Sequence, residues 1–191
     1  MSRPKKIALS SLVVAILIGI VAFGVFSAFS ATTSNNNNAF RAGSVTISDN
    51  HAASALYDVT GAKPGDSSTA SCIKVTYSGS LASTVKLYRS GFTGGTGLEP
   101  YVNLAITKGT GSQTNCSDFV AGASVYSSTL GALGTSFSDA ASITLTNQSG
   151  SATWNQNDAV TYKFVATLAD NNAGNGKVTG THSFTWEAQN N

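Results

Sequence analysis

The chain has 191 residues, of which 41% are hydrophobic, 9% aromatic and 10% charged, with nineteen glycines and a formal net charge of +2. Average soluble domains are about 25% charged, so this composition excludes a coiled coil and a basic nucleic-acid-binding arm, while its apolar content excludes a wholly disordered chain. The length suits one domain, or two small ones.

Three of the eleven Lys and Arg residues, Arg3, Lys5 and Lys6, fall within the first six positions, and the next charge is Arg41. Without them eight cations face nine Asp and Glu residues, a balance of −1. Such a body lacks the clustered cations that bind phosphate backbones or anionic lipid, so neither a nucleic-acid partner nor, after cleavage, a membrane is expected. The basic start followed by the uncharged residues 7–29 has the form of an export signal whose amino end stays in the cytoplasm. About 20 apolar residues at 1.5 Å each also span a ~30 Å hydrocarbon core, which leaves a retained anchor as the alternative. Small residues favour cleavage at Ala28 and Phe29, making residues 1–28, or as far as Ser30, a signal peptide. Residues 29–43, with a Ser, Thr and Asn tract over 31–38, read as a flexible amino-terminal segment.

Residues 44–191 show period-2 alternation in short runs closed by Gly, Asn, Ser or Pro, the pattern of half-buried antiparallel strands. The runs are 44–48; Ile73, Val75 and Tyr77; Val85 and Leu87; Val102, Leu104 and Ile106; Val160, Tyr162, Phe164, Ala166 and Leu168; and Phe184, Trp186 and Ala188. Residues 118–133 hold Gly122, Gly131 and several Ser and Thr, and each interior Gly costs a helix about 1 kcal/mol, so at most one or two short helical turns are expected there. Seven to nine strands imply an all-β, antiparallel two-sheet β-sandwich behind an amino-terminal signal helix.

Cys72 and Cys116 are the only cysteines, and in an exported chain an even pair most simply forms a disulfide. Cys72 is in phase with Lys74 and Thr76, which puts the bridge on an outer face or sheet edge, pinning the loop 113–118. His51 and His182 stand far apart, outside any His-Glu-x-x-His pattern, and read as a loop and a strand-end histidine. No Gly-x-Ser-x-Gly elbow or paired carboxylates occur, so no catalytic residue, metal or cofactor is expected. Residues 170–176 fail the calcium-loop pattern, because Asn175 stands where a Gly is required, and read as a hairpin turn between the last two strands.

Several stretches together resemble the TasA and camelysin family of exported Gram-positive proteins, processed by a SipW-type signal peptidase. They are the Ser27-Ala28-Phe29 junction, the opening strand Ala39-Phe-Arg-Ala-Gly-Ser-Val-Thr-Ile47, the turn Lys63-Pro-Gly-Asp66, and the closing stretches 161–168 and 182–189 with their aromatic, x, aromatic, Glu, Ala ending. The resemblance implies a jelly-roll-like sandwich and a structural subunit of extracellular matrix or biofilm fibres. It implies head-to-tail self-assembly by strand addition, with Ala39, Phe40, Val45 and Ile47 as donor residues and with itself, a signal peptidase and other matrix proteins as partners. Pairing of 44–48 within its own subunit is the alternative. Camelysin-like relatives imply a second reading, a secreted or surface metalloprotease. A third is a monomeric surface adhesin whose loops 92–101 and 171–181 make the contacts.

Overall fold

The structure, a computed structural model, describes residues 39–52 and 54–190. The signal helix, the Ala28–Phe29 junction and the 31–38 tract lie outside the described residues. Met1–Arg41 and Ala42–Asn191 are separate units, and the second is described here.

The described residues form nine strands: β1 (Ile47–Asp49), β2 (Ser71–Tyr77), β3 (Ser83–Arg89), β4 (Val102–Thr110), β5 (Val120–Thr129), β6 (Ile143–Leu145), β7 (Thr153–Trp154), β8 (Ala159–Leu168) and β9 (Phe184–Asn190). One sheet has the order β1-β2-β8-β4-β5. In the other, β3 pairs with β6, β7 and β9. β9 runs along all of β3, and the β3 residues that pair with β6 or β7 also pair with β9, so β6 and β7 share the opposite edge of β3. Every pairing is antiparallel.

The alternation dictates the core. Ile73, Val75 and Tyr77 of β2, Leu104 and Ile106 of β4, and Val160, Tyr162 and Phe164 of β8 are buried in one cluster with Val85 and Leu87 of β3, Leu145 of β6 and Trp154 of β7. Each large side chain so buried contributes about 1.5–3 kcal/mol, which holds the two sheets face to face. Trp154 Nε1 donates to the Leu145 carbonyl at 3.1 Å, tying β7 to β6 across their connecting turn. The Lys63-Pro-Gly-Asp66 stretch is a tight turn, with Asp66 N donating to Lys63 O at 2.9 Å and Gly65 at φ +85°, the left-handed conformation that a glycine adopts without a Cβ clash.

One expectation, a hairpin between β8 and β9, is corrected, and two others gain detail. Residues 118–133 hold the ten-residue strand β5, with only the short 3-10 turn Leu130–Ala132 beyond it. β5 closes the edge of its sheet and is mostly exposed, so no core face imposes apolar alternation on it. Next, β8 and β9 do not form a hairpin. β8 pairs with β2 and β4 while β9 pairs with β3 in the other sheet, and residues 169–183 cross between them through the 3-10 turn Asn172–Gly174. Period-2 alternation specifies a strand but not its partner. Crossing over sets Phe184 and Trp186 against Phe164 of the facing sheet, with ring centroids 5.1 and 5.9 Å apart, where a hairpin would have placed them in the same sheet.

The Cys72–Cys116 bridge, with Cα atoms 5.2 Å apart, starts from the expected outward face of β2, where Cys72 is only 1% exposed. The loop after β4 folds over that face. Thr114 O accepts from Cys72 N at 2.9 Å, Gly111 O accepts from Thr161 Oγ1 at 2.6 Å, and Lys163 lies 5.3 Å from the Phe119 ring centroid. Asp118 shapes this loop by accepting from Ser112 N and Gln113 N at 2.8 and 3.0 Å. These amide hydrogen bonds, that of Gln113 first, hold its carboxyl below the usual range.

Candidate functional site: a groove between two sheet edges

β1 is a short edge strand and β9, among the described residues, has one neighbour, so the sandwich is open on the side where these two edges face each other. A groove of about 560 Å³ lies there, walled by Ile47–Asp49 on one side and by Ser183 to Trp186 on the other, with Ile73 and Val75 also lining it. An unpaired strand edge presents a row of free N–H and C=O groups, which makes it a template for an added strand.

His51 and His182 both line this groove although they are remote in sequence. His182 Nδ1 lies 3.2 Å from Gly180 O, and since a carbonyl only accepts, this nitrogen carries the proton. Nε2 therefore accepts from the Tyr57 hydroxyl at 2.7 Å. Phe92, Phe184 and Tyr57 surround the imidazole, with ring centroids 5.2, 5.6 and 5.7 Å away. Arg89 stacks on Phe92 at 4.3 Å and donates to Leu130 O and Gly131 O.

Burial pushes the His182 pKa below its ordinary value of 6.5, and the nearby Arg89 cation pushes it the same way. Because the folded pKa is depressed, the unfolded chain takes up the proton first as pH falls below about 6.5, and stability declines from there down to the folded pKa. Thermal melts are expected to give a lower Tm at pH 5.5 than at pH 7.5, with a smaller difference in His182→Gln; an equal difference in both proteins would remove His182 from this linkage. Burial likewise raises the Tyr57 pKa, so the phenol stays protonated throughout this range.

The sequence-derived residues fall in distinct places. Ala39 and Phe40 are exposed and outside any strand, Phe40 completely so. Val45 is exposed, and Ile47 is half-buried in β1 opposite Tyr77. Thr46 O and Ser44 O accept from Ser78 N and Leu81 N at 2.9 and 3.1 Å, so the opening stretch pairs within its own chain in the single subunit. Cys72 and Cys116 lie on the outer face of the first sheet. Ala28 and Phe29 lie outside the described residues.

The convergence of His51, Tyr57, His182 and Trp186 on one groove was not anticipated. The local signal is the pair of large apolar side chains Leu56 and Tyr57, both packed on the core, in a connection of mostly small and polar residues. Among the described residues no three His, Cys, Asp or Glu side chains gather at metal-binding range, and no helix is long and apolar enough to cross a membrane. Compared with known proteins, the chain matches no family model and no curated sequence.

Proposed function

We propose that this protein is an exported structural subunit of an extracellular matrix fibre, a jelly-roll-like sandwich that assembles head to tail by adding its amino-terminal strand to a neighbour. The resemblance of residues 27–29, 39–47 and 63–66 to the TasA and camelysin family motivates this reading, and the open edge of β9 beside a groove supports it. The donor is the segment carrying Ala39, Phe40, Val45 and Ile47, which is held to its own subunit by the three residue pairs of β1 and by the hydrogen bonds to Ser44 O and Thr46 O. The nine residues 39–47 are enough to span the seven of β9. When β1 leaves, it removes one wall of its own groove, so a subunit that donates becomes a wider acceptor.

Such a contact uses two different surfaces, does not close, and therefore propagates into a filament. Few charges lie in its way. The donor stretch holds one, Arg41, and β9 holds one, Glu187, which accepts from Tyr88 Oη at 2.6 Å. The disulfide accords with an oxidising, extracellular compartment.

A chain beginning at Phe29 is expected to form filaments, read by electron microscopy and sedimentation, and a chain beginning at Ser48 to stay monomeric. Both retain most of the compact unit that starts at Ala42. Monomers in both cases, at high concentration, would refute fibre assembly.

A further inference from the structure

A second cavity of about 330 Å³ lies beside the groove, and Ala55, Tyr57 and His182 line both. The two adjoin at Ala55 and Tyr57 of the connection after β1, and together they are called the channel, each cavity being one half. Past Tyr57 the second half continues between Asp58, Val59 and Ala62 of that connection and Leu98, Val102 and Leu168. Among the described residues no backbone hydrogen bond joins residues 55–62 to either sheet. Leu56 and Tyr57 pack on the core, and the one side-chain hydrogen bond of the stretch runs from Tyr57 to His182. Residues 58–62 are exposed.

The closed arrangement is incompletely satisfied. Trp186 Nε1 on β9 and His51 Nδ1 are buried with no hydrogen-bond partner, and both residues line the larger half of the channel. Buried polar atoms without partners favour any rearrangement that supplies them. Phe40, by contrast, is a large apolar side chain with no cover.

We propose that residues 55–62 form a strap that closes the channel in the free subunit and is displaced when a neighbour's amino-terminal strand enters, with Phe40 of that strand replacing Tyr57 against His182, Phe92 and Phe184. This rests on the strand-addition reading and adds its regulation. The aromatic site suits the exchange, because it already packs one six-membered ring, at 5.7 Å from His182 and 6.2 Å from Phe184. The added strand also brings backbone carbonyls, the acceptors that an indole N–H lacks.

The latch is acid-sensitive. A proton on His182 Nε2 reverses its hydrogen bond, so that the Tyr57 hydroxyl oxygen becomes the acceptor, but it leaves a buried cation under the strap, which opening would return to water. The charged and titratable groups around the imidazole are Tyr57 and Asp58 on the strap, Arg89 at the end of β3, Asp66 in the smaller half, and Asp49 and His51 in the larger. Arg89 repels the imidazolium, and the three aromatic rings offer it no water.

The test compares filament growth at pH 7.5 and 5.5 for the chain beginning at Phe29 and its Tyr57→Phe and Phe40→Ala variants. Tyr57→Phe keeps the ring and removes only the hydroxyl. Its lag at pH 7.5 is expected to be about fivefold shorter, the factor one ordinary hydrogen bond supplies. The unsubstituted chain is expected to nucleate faster at pH 5.5, and Phe40→Ala to form no filaments at either pH. A lag in Tyr57→Phe equal to or longer than that of the unsubstituted chain would overturn the strap, as would normal growth of Phe40→Ala, while the strand-addition reading would stand. Absence of filaments from the unsubstituted chain at both pH values would overturn both.

Discussion

Trp154→Ala is expected to lower the unfolding free energy by about 3–5 kcal/mol, the usual cost of removing a large aromatic side chain from a packed core. Trp154 is fully buried on the two-residue strand β7, where backbone pairing with Ser83 and Thr84 is all the ladder supplies. Its ring carries the attachment of this edge to the core, and its Nε1 is the partner of Leu145 O. Alanine leaves a cavity and removes the indole donor from the Leu145 carbonyl. Trp154→Phe restores most of the volume but not the donor, and is expected to fall between the two. Urea denaturation followed by circular dichroism reads both values, and a loss below about 1 kcal/mol for alanine would show that the site collapses around the gap.

Opening the Cys72–Cys116 bridge is expected to cost up to about 4 kcal/mol, the chain-entropy value for a loop with a sequence separation of 44. The effect falls first on the 111–119 loop, which is otherwise held over the outer face by the Thr161 hydroxyl, the Cys72 amide and the Phe119 contact with Lys163. The double variant Cys72→Ala/Cys116→Ala is expected to remain folded, because the opposite face of β2 keeps its place in the core, but with a lower urea midpoint and faster amide exchange in that loop. Equal midpoints for this variant and the oxidised protein would mean that the bridge adds nothing to stability.

The parts of the fold legible in the sequence are those where one face meets the core. In β2, β3, β4 and β8 the apolar alternation and the buried positions largely coincide, since period 2 and burial have the same cause, whereas in β9 the residues alternate but Phe184 to Ala188 are all half-buried. β5 escaped because an edge strand exposed on both faces has no such constraint, and β6 and β7 because three and two residues are too short to alternate. The missed crossover from β8 to β9 has another cause. Turn chemistry in 170–176 was real, as Asn171 caps the Asn172–Gly174 turn by accepting from Ala173 N, but a turn does not say which strand follows it in space. His51 and His182 stand far apart in the sequence, and only the packing of Tyr57 across the gap between sheets unites them with Trp186 in one groove.

The central claim is that an amino-terminal strand of one subunit fills the channel of the next. Cryo-electron microscopy of filaments grown from the chain beginning at Phe29 tests it most directly. The account requires density for residues 39–47 of one subunit hydrogen-bonded along the β9 edge of its neighbour, with Phe40 beside His182. Filaments in which 44–49 still pair with their own β2 and each channel is closed by its own residues 55–62 would contradict it.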